Sequence, residues 1–489
     1  MTRPNIIFIM TDDHASHAMS CYGSKINETP NMDRIADGGV RFNNCFCTNS
    51  ICAPSRATIL TGTHTHINGV KTLGDKLDNS LPNLAKIFQK EGYSTAVVGK
   101  WHLGQGEKHH PTGFDYWNVL PGQGDYFDPV MIEMGERKIF RGYVTDIITD
   151  KSIEWLENRD AEKPFMLMCH HKAPHRPWLS DDKHRDMYSD YDIPLPDTFF
   201  DDYENRSEAA KRAEMRVDRH MNSLDLKIDI PEGYEKMDRL PIPDDVSGLE
   251  YTTWEGEKYT FKSKEQLAQW KYQRYIKEYL RCVASVDDGI GRMLDWLDEK
   301  GLTESTMVIY TSDQGFYLGD HGWYDKRFMY EESLRMPLVI RYPEKIKAGA
   351  VKDEMVLNLD FARTFLDAAG IEEPDYMQGR SFMSILQGET PDDWQTSMYY
   401  RYWMHLAHHN VAAHYGIRTM RYQLIYYYGK ALGTSGSIDV DTPEEWELFD
   451  LEEDPCEMMN VYNNPEYRVI REELKKELYR LKEESGDYE

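Results

Sequence analysis

Short runs of consecutive apolar residues alternate with amphipathic stretches along the first three-quarters of the chain. Asn5–Met10 (NIIFIM), Ser94–Val98, Phe165–Cys169, Met307–Thr311 and Leu338–Arg341 lack the in-out alternation of a half-buried strand. They predict strands covered on both faces. Between them, spacing of three and four apolar positions predicts helices at Leu81–Lys90, with Pro82 near its start, at Tyr143–Glu157 and over a long stretch near Lys264–Lys300. Strand and helix in alternation make parallel βαβ units.

The texture changes twice. Residues 180–263 are rich in charge, Pro and Asp and predict an insertion of loops and short helices. After about Gly388 come short Tyr-rich runs, Met398–Trp403 and Tyr422–Tyr428, then Trp446–Asp450 and a charged helix near Glu466–Glu484. The expectation is an α/β fold: a large, mostly parallel central sheet with helices on both faces over 1–388, then a smaller antiparallel sheet with a terminal helix over 389–489. Neither repeats nor a low-complexity linker are evident.

Composition narrows the function. With 489 residues, 40% of them hydrophobic, the chain can bury a large core. A formal net charge of -27 argues against nucleic acid and membrane surfaces as partners, because both attract basic faces. The seven cysteines are odd in number and irregular in spacing, with no paired C-x-x-C, so most read as reduced and structural. No apolar stretch approaches the length of a membrane span. Met1 runs almost directly into the first strand, without a cleavable leader. The protein is thus cytoplasmic if Met1 is its native start, and periplasmic or secreted if a signal was trimmed.

Chemistry gathers where ligands of open α/β sheets bind, just beyond the strand ends. Asp12 and Asp13 follow the first strand, and Lys100-Trp101-His102 the second. His170, His171 and His175 follow the third, and Asp313-Gln314-Gly315 the fourth. Adjacent acids after a strand are commonly turn residues, and a Lys-His pair is an ordinary solvated turn. Four strand ends delivering complementary groups to one place outweigh those readings. Asp12, Asp13, Asp313 and the amide oxygen of Gln314 form an all-oxygen set suited to Ca²⁺ or Mg²⁺ and not zinc.

The run Cys52-Ala-Pro-Ser55-Arg56-Ala-Thr-Ile-Leu60-Thr61-Gly62 matches C-x-P-S-R-x-x-x-L-T-G at every fixed position. It resembles the signature of the sulfatase family, and further family motifs recur in order along nearly the whole chain. The resemblance implies an alkaline-phosphatase-like fold. It also implies oxidation of Cys52 to formylglycine by a formylglycine-generating or anaerobic maturase enzyme, with the hydrated aldehyde as nucleophile. Asp12, Asp13, Asp313, Gln314 and the modified Cys52 would hold a divalent cation, usually calcium; many members have Asn in place of Gln314. Lys100 and His102, in Gly99-Lys-Trp-His-Leu-Gly104, resemble the second family signature. His175 matches a sulfate-binding histidine and candidate general acid, and Lys326 a lysine on the leaving-group side. Arg56, four residues after Cys52, would share its helix face. His102 would deprotonate the second hydroxyl to expel sulfate. His171, Arg176, Trp178 and His321 are candidates to line the substrate pocket, although aromatic residues at such positions are often core. Arg335 is expected to pair an acid.

The Asp-Gln-Gly variant and the histidine-rich third cluster look most like soluble bacterial sulfatases that act on polysaccharides, nearest to N-acetylglucosamine-6-O-sulfatases. The expected partner is a sulfated oligosaccharide of glycosaminoglycan or mucin type. Three alternatives stay open: a sulfatase for another sulfated polysaccharide, a phosphonate or phosphodiester hydrolase of the same superfamily, and a glycan-binding protein with a dead site. Phosphodiester activity would favour the second. Competent residues at every expected catalytic position count against the third.

Overall fold

A computed structural model describes residues 3–489. Its main sheet contains, in chain order, β1 (Asn5–Thr11), β2 (Val40–Phe42), β3 (Ser94–Lys100), β4 (Tyr116–Leu120), β5 (Val130–Glu133) and β6 (Glu136–Ile139). It is completed by β7 (Phe165–His170), β8 (Thr306–Ser312), β9 (Leu338–Arg341) and β10 (Ala350–Lys352). Across the sheet the order is β10-β2-β9-β8-β1-β7-β3-β4-β5-β6. The five central strands, β8, β1, β7, β3 and β4, are mutually parallel. β9 pairs antiparallel with β8, and β5 and β6 are antiparallel at the far edge.

The unbroken apolar runs follow from burial on both faces. In β1, Ile7 and Ile9 point into one core while Ile6, Phe8 and Met10 point into the other, since side chains alternate across a strand. Residues of β8, β7 and β3 divide in the same way. One face is covered by α1 (Pro30–Asp37), α4 (Val144–Asn158) and α5 (Lys264–Glu299), the other by α2 (Cys52–Thr61), α3 (Leu84–Lys90) and α6 (Phe361–Ala368).

α5 has 36 residues, about 54 Å at 1.5 Å per residue. Its start is set by Ser263, whose side chain accepts from the Gln266 N–H. About two-thirds of the way along, buried Asp287 accepts from the Asn31 and Met32 N–H groups at 3.0 and 2.8 Å. The carboxylate thus satisfies two donors at the N-terminus of α1, the end that favours negative charge.

Two sequence expectations shift. The helix expected from Leu81 starts at Leu84, because Asn83 accepts from the Lys86 N–H and closes the first turn; Pro82 lies outside it. A strand at His414–Thr419 was not foreseen. It is β12 of a four-stranded antiparallel sheet, β11 (Ser397–Tyr402), β12, β13 (Tyr422–Tyr427) and β14 (Glu445–Asp450). The terminal helix α7 (Arg468–Glu484) packs Leu474 and Leu478 against it. Residues 180–263 contain only short helices and one hairpin, Glu250–Thr252 with Lys258–Thr260. Among the described residues no helix is long and apolar enough to cross a membrane.

Candidate active site

All ten residues of α2 are buried. Pro54 is tolerated there because first-turn N–H groups have no partner within a helix. At its far end Gly62, with φ 67°, donates to the Thr58 carbonyl; a Cβ at this position would meet Met377 Cγ at 2.9 Å. The helix therefore begins at Cys52, where its dipole adds positive potential. Cys52 is 1% exposed, and its Sγ donates to Asp12 Oδ1 at 3.2 Å. Burial pushes the thiol up to about 12, so at neutral pH it is protonated and a poor nucleophile.

Arg56, one turn on, binds three parts of the site together. Its Nε and Nη2 reach Asp313 Oδ2 at the end of β8, and its Nη1 donates to the Lys100 carbonyl at the end of β3 at 2.8 Å. The same carbonyl accepts from His170 Nδ1 at 3.2 Å. The Asp12–Ala15 turn is pinned from α5: the Tyr279 hydroxyl donates to the Asp13 carbonyl and accepts from the Ala15 N–H, at 2.8 and 2.9 Å.

Asp12 pairs with the Lys100 ammonium, and Asp13 Oδ1 accepts from Lys326 Nζ and Gln314 Nε2. Asp13 has φ 71°, and its N–H donates to Asp313 Oδ1 at 3.2 Å. Burial, only partly offset by Lys326, pushes its carboxyl up to about 6. His175 donates from Nδ1 to the Arg176 carbonyl at 2.7 Å, which leaves Nε2 facing the pocket, 3.8 Å from Asp13 Oδ2. His102, with φ 57°, is held well below its ordinary range by burial and then by Lys100 and Arg56.

The oxygen donors fit a hard divalent cation. Ligand oxygens of Asp12, Asp13 and Asp313 lie within 4.8 Å of one another, and the buried Gln314 Oε1 has no hydrogen-bond partner. Asp12, Cys52 and His175 form a second such group, but that set would need a thiolate.

Three expected pocket-lining residues are sealed in the core. Trp178 is 0% exposed and packs on Tyr275 at 4.7 Å between ring centroids, so it has no free face for a sugar. His171 is 0% exposed, with its ring beside the Cys169 thiol. His321 is also fully buried, with Nδ1 on Asp201 Oδ2 at 3.2 Å. Arg176 is partly exposed, but its guanidinium is committed to Asp225 through Nε and Nη2. Arg335 pairs with Glu331.

Other residues entered the site without a sequence signal. Gln123 accepts from Lys100 Nζ, and the Tyr126 hydroxyl donates to the His175 carbonyl at 2.6 Å. Lys172 is 1% exposed, 4.9 Å above the Tyr126 ring, and has no carboxylate partner among the described residues. Arg56, Lys100, Lys172 and Lys326 gather four basic side chains around Asp12, Asp13 and Asp313 in a chain of net -27, while burial pushes Lys100 well down from its ordinary value and Lys172 down to about 8.

The sulfatase family matches residues 4–371, and the family described as N-sulphoglucosamine sulphohydrolase, C-terminal, matches residues 319–484. An N-acetylglucosamine-6-O-sulfatase of Bacteroides thetaiotaomicron is 45% identical over 490 residues, covering 96% of this chain and 85% of that protein. A solved structure of a protein in complex with its substrate D-glucosamine-2-N,6-O-disulfate is 42% identical, with a TM-score of 0.89 over 100% of this chain and 99% of the other. The phosphonate monoester hydrolase of Agrobacterium radiobacter, 20% identical with a TM-score of 0.72 over 99% and 96%, shares the fold alone.

Proposed function

This chain belongs to the sulfatase family and is a sulfuric ester hydrolase acting on carbohydrate; within that family we propose that it removes the 6-O-sulfate of a glucosamine residue, N-acetylated or N-sulfated, in a glycosaminoglycan or mucin-type glycan. The carrying observation is 45% identity to an N-acetylglucosamine-6-O-sulfatase over 96% of the chain.

The buried thiol of Cys52 cannot do the chemistry as it stands. Converted to formylglycine, this position supplies an oxygen nucleophile when hydrated, and a bound Ca²⁺ or Mg²⁺ supplies charge to stabilise it and the sulfuryl oxygens. Asp12, Asp13, Asp313 and Gln314 would hold that cation. Arg56 keeps Asp313 and the end of β3 fixed against the nucleophile position. Lys100 and Lys326 lie on opposite carboxylates, Asp12 and Asp13, and are placed to bind sulfuryl oxygens as charge builds. His175 has Nδ1 on the Arg176 carbonyl and Nε2 toward the pocket; burial, Lys100 and Lys326 hold the free imidazole neutral, so Nε2 can donate to the departing sugar oxygen only after the ring takes up a proton beside the negative charge of bound sulfate. His102 is the candidate base for releasing sulfate.

The test is sulfate release from N-acetylglucosamine-6-sulfate and glucosamine-2-N,6-O-disulfate by protein co-produced with a formylglycine-generating enzyme. We expect turnover that falls at least about 10³-fold in Cys52→Ser. No release from either sugar, with the aldehyde confirmed by mass at position 52, would discard the substrate. Undiminished release by Cys52→Ser would discard the mechanism.

A further inference from the structure

Three consecutive carbonyls beside the pocket are each capped by a buried side-chain donor. The His175 carbonyl accepts from the Tyr126 hydroxyl at 2.6 Å. The Arg176 carbonyl accepts from His175 Nδ1 at 2.7 Å and from Lys172 Nζ at 3.5 Å. The Pro177 carbonyl accepts from Lys227 Nζ at 2.6 Å. No helix or strand holds this segment, and Pro174 and Pro177 have no N–H to donate. Its backbone is therefore placed by side chains from three separate parts of the chain: the loop after β4, the turn after β7 and the insertion at 180–263.

The donors are expensive ones. Lys172 and Lys227 are buried, and among the described residues neither pairs with a carboxylate. Burying an ammonium against neutral carbonyls costs far more than burying a hydroxyl. A segment that needed only to be covered could be held by neutral groups. Lys172 Nζ and His175 Nδ1 converge on one oxygen, so the ammonium sits on the Nδ1 side of the imidazole, and Nε2 is left to face Asp13. The same ammonium lies 4.9 Å above the ring of Tyr126, whose hydroxyl holds the preceding carbonyl. A histidine bonded through Nδ1 to a carbonyl takes its tautomer and ring direction from that carbonyl. Here the carbonyl belongs to the very next residue, so whatever fixes Arg176 fixes the ring.

We propose that Lys172 is a positioning residue for His175: with Tyr126 and Lys227 it locks the Arg176 carbonyl, and through it the Nδ1–H tautomer and the aim of Nε2 at the departing sugar oxygen. The inference rests on the sulfatase reading above and adds to it the groups that place its acid. The segment is fastened at its other end too, where the Asp12 N–H donates to the Ala173 carbonyl at 3.3 Å. His175 is thereby held at a fixed spacing from the carboxylates that line the nucleophile position, which is what a proton donor needs in order to meet the breaking bond.

The test is a double-mutant cycle of Lys172→Met and His175→Ala, read on the sulfated sugar that wild type turns over best and on 4-nitrophenyl sulfate. Lys172→Met should lower kcat on the sugar about 10²-fold, the cost of a reacting group misplaced by about 1 Å, with KM nearly unchanged. The loss should be smaller on the aryl sulfate, whose leaving group departs without a proton. In the His175→Ala background, Lys172→Met should add little. Lys172→Arg, which keeps a donor for the carbonyl, should recover part of the loss. Tyr126→Phe, which removes a single hydroxyl, should reproduce a milder form of it. The imidazole ¹⁵N shifts of His175, assigned by their loss in His175→Ala, read the tautomer without any turnover: Nδ1 protonated in wild type, a mixture in Lys172→Met. Losses that add in the double mutant, or a tautomer unchanged in both Lys172→Met and Tyr126→Phe, would overturn the proposal. Wild type that turns over no sulfate, with the tautomer still shifting in Lys172→Met, would overturn the sulfatase reading alone.

Discussion

Arg56 and Asp313 are joined through two guanidinium nitrogens, Nε and Nη2, each 2.9 Å from the same carboxylate oxygen, and both side chains are essentially sealed from water. Removing one partner of such a pair strands the other charge in a low dielectric, which costs about 3–5 kcal/mol. Arg56→Ala should therefore lower unfolding free energy by about that amount, as well as stop turnover. Arg56→Lys should fail almost as badly in activity, because one ammonium cannot reproduce the fork to Asp313 together with the contact to the Lys100 carbonyl. Urea unfolding and sulfate release measure the two effects; a lysine variant with near-native turnover would show that the fork is dispensable.

The oxygen-rich cluster makes a second prediction. Dialysis against a chelator should lower the melting temperature and abolish activity, and added Ca²⁺ or Mg²⁺ should restore both. At a cation concentration of 100 Kd the gain in stability is about 2.7 kcal/mol. Elemental analysis before and after dialysis identifies the ion. Full activity in protein shown to be metal-free would remove the cation from the mechanism.

Asp287 carries a pH dependence away from the active site. Burial pushes its carboxyl from 3.8 up to about 6, despite the N–H groups of Met32 and Asn31. The folded protein thus binds this proton more tightly than the unfolded chain does. Its contribution to stability is complete below pH 3.8 and is lost as pH rises through about 6. A gap of this size corresponds to about 3 kcal/mol. Asp287→Asn, which keeps an acceptor for α1, should flatten this part of the stability curve between pH 4 and 7. Parallel curves for variant and wild type would refute the assignment.

Trp178 separates packing from recognition. Trp178→Phe leaves a partial cavity against Tyr275 and should cost about 1–3 kcal/mol of stability. KM for the sulfated sugar should not change, since the ring has no exposed face. A raised KM with unchanged stability would restore the stacking role that its position beside His175 suggests.

The parts of the site legible in the sequence were those attached to a strand. Asp12, Lys100, His170 and Asp313 lie at or just past the ends of apolar runs, so a parallel sheet had to deliver them to one edge. Lys326 follows no central strand, and only the family resemblance pointed to it. Strand direction was less legible: the apolar run of β9 looks the same whether it lies parallel or antiparallel to β8. Side-chain burial was least legible, because Trp178, His171 and His321 sit within the motifs but turn inward. Gln123 and Tyr126 belong to loops with no periodicity, and tertiary contacts alone bring them to Lys100 and His175.

The sealing of Cys52 has a consequence for the order of events in the life of the chain. A thiol 1% exposed, enclosed at the start of a helix with all ten residues buried, offers no approach to another enzyme once the fold has closed. The proposed oxidation must therefore take place on extended polypeptide, during or just after synthesis. Folding then competes with modification, and a molecule that folds first is locked out permanently. The active fraction in a preparation is thus a record of that race, and it should rise with slower folding or more abundant maturase even when the amount of folded protein is unchanged.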